Sequence, residues 1–194
     1  MSKRIAFLSA AAFGALALTA AFVAPVSAQD KMMKSEMSGQ KTVMVGGAAM
    51  FPSKNIIQNA VNSKDHTTLV AAVKAAGLVE TLEGKGPFTV FAPTNAAFGK
   101  LPAGTVDTLV KPENKPTLTK ILTYHVVPGK LEASSLTDGK KLKTVEGEEL
   151  TVRKSGDKVM IVDAKGGSST VTIPNVNQSN GVVHVVDTVL MPAS

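Results

Sequence analysis

Three histidines, His66, His125 and His184, carry most of this chain's potential for chemistry. The 194 residues include no cysteine, which excludes thiol catalysis and thiolate metal sites. His184 and Asp187 suggest a catalytic pair, but on one strand they face opposite sides, and no Gly-x-Ser-x-Gly sequence occurs. A metal site formed by His125, His184 and a carboxylate stays open, although no ligand spacing indicates one. The sequence therefore predicts no catalytic residue, no metal, no cofactor and no enzymatic activity.

Tyr124 and His125 form the candidate binding site. They follow a predicted helix and begin a predicted strand, in which neighbouring side chains point to opposite faces. One of the two is therefore expected to be exposed and available to a partner. If His125 is buried, we expect it to fix the helix to the sheet through a backbone carbonyl. His66 follows Asp65, a predicted helix cap, and is expected to be exposed at a helix start.

The stretch Phe88–Phe98 is predicted to lie at the centre of the core. Large side chains on both faces of its first half indicate a strand that is buried on both sides. Pro93 is expected to end this strand, because proline cannot donate a hydrogen bond to the ladder. Thr94 or Asn95 is then expected to cap a short helix that buries Phe98.

Helical periodicity surrounds this stretch, with Ser53 and Asp65 as the predicted caps of the first two helices. The second of these helices has a single apolar stripe, made of Leu69, Ala72, Val73 and Ala76, and is expected to end at Gly77. From residue 130 onward the period becomes alternating, and Asn180-Gly181 is the strongest hairpin signal. Helices in the first half and antiparallel strands in the second predict an α+β fold.

Residues 1–28 are predicted to be a secretory signal peptide, because Lys3 and Arg4 precede an apolar run and a small-residue cleavage site ending at Ala28. The run is long enough to span a membrane, but the cleavage site follows it directly, so no transmembrane anchor is expected after cleavage. Residues 29–50 are predicted to form a flexible tether rich in Met, Lys and Ser, and residues 51–194 one folded domain. The tether's methionines could bind Cu(I), although the segment has no histidine to complete a site.

Three segments resemble the signature blocks of the fasciclin domain family. They are Phe88–Phe98, Tyr124-His125 with the two valines that follow, and Asn180–Asp187 with Val189–Pro192 after it. The resemblance covers about residues 51–192. It implies a wedge-shaped antiparallel β-sandwich with a helical layer packed on one side, and a non-enzymatic extracellular adhesion module. Some animal members bind integrins near the tyrosine–histidine motif and through an Asp-Ile pair, but residues 175–179 lack that pair, so integrin binding is not implied.

Two functions follow from these observations. The export signal, the resemblance and the missing catalytic groups favour a secreted or periplasmic adhesion and matrix-interaction domain that binds an extracellular protein or polysaccharide. The net charge of +6 comes from scattered lysines, which favours a solvated surface over a nucleic-acid-binding face. The alternative is a carrier of an apolar ligand such as a carotenoid, because an Ala- and Val-rich helical layer with few aromatic side chains would leave a groove against the sheet.

Overall fold

The computed structural model describes residues 42–193. The predicted signal peptide (1–28) and residues 29–41 of the predicted tether lie outside this range. Within the described range, no helix is both long and apolar enough to cross a membrane.

Most helices lie in the first half of the described chain, and most strands lie in the second. The helices are α1 (Ile56–Ala60), α2 (Thr67–Ala76), α3 (Val79–Glu83), α4 (Asn95–Gly99), α5 (Thr105–Leu109) and α6 (Lys115–Tyr124). The strands are β1 (Val43–Val45), β2 (Ala48–Met50), β3 (Phe88–Pro93), β4 (Val126–Pro128), β5 (Lys141–Lys143), β6 (Glu149–Ser155), β7 (Lys158–Val162), β8 (Ser168–Gln178) and β9 (Gly181–Val186). Short 3-10 turns occupy Lys64–His66, Pro112–Asn114 and Ala133–Ser135.

Seven of the strands form one sheet in the order β4-β3-β9-β8-β7-β6-β5. Neighbouring strands are antiparallel except β3 and β9, which run parallel. The two ends of the sheet meet, because the N–H of Val145, just after β5, donates to the carbonyl of Val126 in β4 at 2.8 Å. One apolar core lies between the helices and the sheet, and the sheet itself encloses a second. The predicted α+β class is confirmed, and the parallel pair is a feature that the sequence did not predict.

The stretch Phe88–Phe98 forms the strand and helix that the sequence predicted. Its strand β3 is buried on both faces, with Phe91 in the core enclosed by the sheet and Val90 in the core beneath the helices. Thr94 caps α4, since its hydroxyl accepts a hydrogen bond from the N–H of Ala97 at 3.2 Å. The ring of Phe98 is buried, also as predicted.

The predicted caps of the first two helices are wrong, although both helices form. Asn55 caps α1 instead of Ser53: its side chain accepts from the N–H of Gln58, whose own side chain accepts from the N–H of Asn55. Asp65 caps nothing, because it lies inside the 3-10 turn before α2. The apolar stripe of α2 is buried as predicted, and Gly77 ends this helix in the left-handed conformation that favours glycine.

Residues 43–50, which the sequence assigned to the flexible tether, form a hairpin of β1 and β2. Its turn residues, Gly46 and Gly47, both have positive φ, as this kind of two-residue hairpin turn requires. Val45 and Met50 are buried in the core beneath the helices. The Gly46 carbonyl also accepts a hydrogen bond from the N–H of Lys64 at 3.3 Å. The tether prediction is therefore wrong for these residues, because their apolar side chains find a partner surface that lies later in the chain.

Asn180 joins three elements near the turn between β8 and β9. Its side-chain oxygen accepts from the N–H of Ile56 at the start of α1 (3.1 Å). Its amide group donates to the carbonyls of Leu82 (2.7 Å) and Gly84 (3.0 Å) at the end of α3. Backbone groups at two helix ends, which their own helices leave unpaired, are thus satisfied by one side chain.

We expect Asn180→Ala to destabilise the fold by about 2 kcal/mol, because it removes three half-buried hydrogen bonds and leaves backbone groups unpaired. Urea denaturation of the variant and the parent protein measures the difference. Asn62→Ala is the matched control, since Asn62 makes one exposed hydrogen bond, to the carbonyl of Gln58. Equal stability of the two variants would contradict the role given to Asn180.

Candidate functional site

Tyr124, the last residue of α6, is fully buried in the core enclosed by the sheet. Its hydroxyl accepts a hydrogen bond from the N–H of Ala164 at 2.9 Å and lies 3.4 Å from the carbonyl of Glu149. Burial raises the pKa of the Tyr124 hydroxyl, and the negative charges of Asp163, Glu148 and Glu146 raise it further against the opposing hydrogen bond from Ala164. The phenol therefore stays neutral and acts as a buried hydrogen-bonding group.

His125 follows directly as the cap of α6 and is 2% exposed. Its Nδ1 lies 2.8 Å from the carbonyl of Ile121, and its Nε2 lies 2.9 Å from the N–H of Leu190. These partners assign the neutral tautomer in which Nδ1 donates and Nε2 accepts. Burial lowers the pKa of His125 to about 4, against the opposing effects of the Ile121 carbonyl and Asp163. The expected carbonyl partner exists but belongs to the same helix, and the link beyond the helix is the N–H of Leu190.

The expectation that Tyr124 or His125 faces solvent is wrong. Strand β4 begins only at Val126, so the pair lies at a helix end and not in extended backbone. Tyr124 enters the core enclosed by the sheet, and His125 points toward the core beneath the helices. The binding role of the pair stays a prediction, and such a role would act through the segments that the two side chains hold in place.

His184 and Asp187 do not come together. The ring of His184 stacks on Phe91 with centroids 5.7 Å apart, and its Nε2 lies 2.8 Å from the Leu131 carbonyl. Asp187 instead accepts from the N–H of Thr170 at 2.8 Å and pairs with Lys100 at 3.5 Å. Among residues 42–193, no three His, Asp or Glu side chains are grouped to hold a metal ion. The described residues therefore form neither a catalytic pair of His184 and Asp187 nor a metal site of His125, His184 and a carboxylate.

A small cavity of about 50 Å³ lies in the core beneath the helices. Its walls come from α1, α2, α6 and the sheet, and the hairpin of β1 and β2 closes it through Val45 and Met50. The lining is almost entirely apolar. Two of its polar residues, Asn59 and Gln178, hydrogen-bond to each other, and Asn59 also donates to the carbonyl of Phe51 at 2.8 Å.

His66 is the polar side chain in this lining that lacks a full set of partners. It is 3% exposed, so the expectation of an exposed His66 is wrong. Its Nδ1 lies 2.9 Å from the hydroxyl of Ser63, whereas no atom meets its Nε2 at hydrogen-bond geometry. Burial lowers the pKa of His66, and the nearby Ala92 carbonyl and Asp65 oppose that shift. Sequence reasoning missed this residue, because the turn that buries it is fixed by the hairpin and the sheet and not by its neighbours in the chain.

A profile of the fasciclin domain matches residues 64–192. The chain belongs to the fasciclin domain family. The match includes β3, the Tyr124–His125 junction and β9, so the resemblance found in the sequence is confirmed. The hairpin of β1 and β2, α1 and Ser63 precede the matched residues, although they help to close the cavity of this fasciclin domain.

Named relatives cover most of the chain. A Synechocystis protein, sll1483, is 48% identical over 153 residues, which are 79% of this chain and 82% of the relative. Immunogenic protein MPB70 of Mycobacterium bovis is 35% identical over 99% of this chain and 98% of its own. The cell surface glycolipoprotein MPB83 of the same species is 37% identical over 81% of this chain and 70% of its own.

A solved structure shows the same fold. The FAS1 domain pair of the insect cell adhesion molecule Fasciclin I superimposes on this fasciclin domain with a TM-score of 0.65 and 17% identity. The superposition covers 78% of this chain and 58% of that one. At this level of identity the likeness concerns the fold and not the binding site.

Proposed function

We propose that this protein is a secreted or periplasmic, non-enzymatic adhesion domain that binds an extracellular protein. Family membership supports the proposal, as do the relatives, since MPB83 is named a cell surface protein and Fasciclin I a cell adhesion molecule. The main supporting observation is that Tyr124 and His125 are both buried and that each is hydrogen-bonded to a backbone group of a different segment, at Ala164 and at Leu190. Such an arrangement positions a surface and leaves neither of these two side chains free for catalysis.

The positioned surface is formed by the exposed residues of the segments 144–149, 163–167 and 188–193, and is called the Tyr–His surface below. Tyr124 contacts the first two segments, and His125 contacts the third. The segments are also tied to one another, because the N–H of Met191 donates to Asp163 at 3.1 Å and the N–H of Ala193 donates to Glu148 at 2.8 Å. This surface is therefore rigid enough to present a fixed set of side chains.

The charge of the Tyr–His surface favours a protein partner over an acidic polysaccharide. It carries Glu146, Glu148, Glu149 and Asp163 but a single basic residue, Lys165, within a chain whose net charge is +6. Lys120 and Lys141, outside the three segments, pair with Glu146 and Glu149 at 3.5 and 3.2 Å, which leaves a small negative charge that attracts a basic protein surface more than an acidic polysaccharide. Val145, which is 45% exposed, provides an apolar contact among these charges.

Immobilised protein should retain an envelope protein at low salt and release it as the ionic strength rises. Val145→Ser should lower the affinity about tenfold, as expected for an apolar contact near the centre of an interface. Val61→Ser is the matched control, because Val61 is equally exposed (49%) but lies on the helical side of the molecule. Equal losses in both variants, or retention no better than that of an unrelated basic domain, would contradict the proposal.

The cavity supports a second candidate function, a carrier of an apolar ligand. A cavity of about 50 Å³ is much smaller than a carotenoid, and smaller than the roughly 150 Å³ cavity that accommodates benzene. The ligand that fits this structure is therefore a small molecule or the end of a chain. This candidate uses a different part of the molecule from the Tyr–His surface, and His125 is the residue that contacts both.

A further inference from the structure

The cavity has an identifiable entrance. Of the residues that line it, Ala60 at the end of α1 and Val70 in α2 are the two that are partly exposed, and all the others are buried. Val61, beside Ala60, is an exposed apolar side chain. An apolar molecule would therefore enter between α1 and α2, along a rim that is itself apolar.

The hairpin of β1 and β2 closes another part of the cavity wall, beside the connection between α1 and α2. Gly46 lies so close to the Ser63–His66 turn that an added Cβ atom would be 2.5 Å from the Ser63 hydroxyl oxygen and 2.7 Å from the Asp65 nitrogen. This close approach excludes solvent from the side of His66 that contacts Ser63. The ring of His66 is thus held between the hairpin and the cavity.

The protonation of His66 follows from its partners. The Ser63 hydroxyl makes no other hydrogen bond and can donate to Nδ1, which leaves the hydrogen of the neutral ring on Nε2. The Ala92 carbonyl acts on the His66 ring as a hydrogen-bond acceptor and opposes the lowering of its pKa, but it does not meet Nε2 at hydrogen-bond geometry. Nε2 is therefore a buried donor that no well-aligned acceptor meets.

A buried side-chain atom without a hydrogen-bond partner is rare within the described part of the chain. The only other buried side-chain atom there without a partner is Oδ1 of Asn177, which does not line the cavity. Both ring nitrogens of His125 and of His184 have partners. A buried polar atom without a partner is costly, and in a cavity wall it points to a group that is bound there part of the time.

We propose that this cavity binds the end of a small linear hydrocarbon that carries one carbonyl or hydroxyl oxygen, and that this oxygen accepts a hydrogen bond from Nε2 of His66. The inference rests on the second candidate function and adds the ligand class and the anchoring residue. The oxygen-bearing end lies in the cavity, and the rest of the chain lies in the entrance beside Val70 and Val61. The small volume excludes branched or polycyclic ends.

The test compares 2-hexanone with n-hexane, two probes that differ in one carbonyl oxygen. In the full-length protein, 2-hexanone should shift the ring ¹⁵N resonance of His66 Nε2, and n-hexane should not. In His66→Phe, the ratio of ketone affinity to alkane affinity should fall about tenfold, because the buried carbonyl then lacks a donor. Val70→Trp, at the entrance, should weaken both probes alike.

Each outcome has a defined meaning. If both probes bind but their affinity ratio is the same in His66→Phe, the anchoring role is overturned while the apolar site stands. If neither probe binds, both the inference and the carrier function are overturned, and the adhesion proposal is untouched. The ¹⁵N measurement uses the unmodified protein, so the test does not depend on the folding of His66→Phe.

Discussion

Gly181→Ala should destabilise the protein by about 3 kcal/mol or more, the largest effect that we expect from a single added methyl group. A Cβ atom at residue 181 would lie 2.0 Å from the carbonyl oxygen of Phe88 and 2.9 Å from its backbone nitrogen. These are backbone atoms of the neighbouring parallel strand β3, paired in register with β9, and they cannot rotate away. The two strands would have to separate at their first residues, where they pair.

Urea denaturation followed by circular dichroism measures this loss. Gly99→Ala is the matched control, since nothing lies within 4 Å of its added Cβ and its φ is not in the left-handed region. Gly99 ends α4, so alanine there should be neutral or stabilise the protein by up to about 1 kcal/mol. If the two alanine variants unfold at the same urea concentration, the close approach of β3 and β9 is not as described.

Acidification should destabilise the protein by about 3 kcal/mol through His125 alone. The pKa of His125 is about 4 in the folded protein and 6.5 as the ordinary value, because burial disfavours the charged ring. The unfolded chain therefore takes up the proton first. The stabilisation that comes from neutral, buried His125 is fully present above pH 6.5 and is lost as the pH falls toward 4. Burial also lowers the pKa of His66 and of His184, so both act in the same direction.

The contribution of His125 is isolated by comparing His125→Gln with the parent protein across this pH range. The glutamine amide can accept from the N–H of Leu190 but does not titrate, so the variant should be less stable at neutral pH and less sensitive to acid. The difference in unfolding free energy between the two proteins should shrink by about 3 kcal/mol between pH 6.5 and 4. A constant difference would show that His125 is not a buried neutral ring.

Local patterns predicted much of the fold. The helical stripe of α2 and its end at Gly77, and the strand and helix within Phe88–Phe98, form where the sequence placed them. Each depends on periodicity, on capping or on turn residues within a few positions of one another. The Asn180-Gly181 signal also predicted a turn, but the glycine is the first residue of β9. It is required by the approach of Phe88 and not by the turn.

The candidate site could not be predicted to the same extent. The sequence indicated Tyr124 and His125, yet assigned them to a strand that in fact starts at Val126, two residues later than predicted, and this shift reverses the prediction of exposure. The sequence also predicted that His66 is exposed. The residues that cover it come from a hairpin some twenty positions earlier and from the cavity walls.

By itself, then, the sequence determined the class of fold, the order of most elements, the family, and the absence of cysteine chemistry. The tertiary structure decided which polar side chains are buried, the parallel pairing of β3 with β9, the closure of the cavity by residues 43–50, and the use of Tyr124 and His125 to hold surface segments. The physical reason is range: periodicity and capping involve residues that are near in the chain, whereas the burial and hydrogen bonding of a polar group depend on partners that only folding brings together.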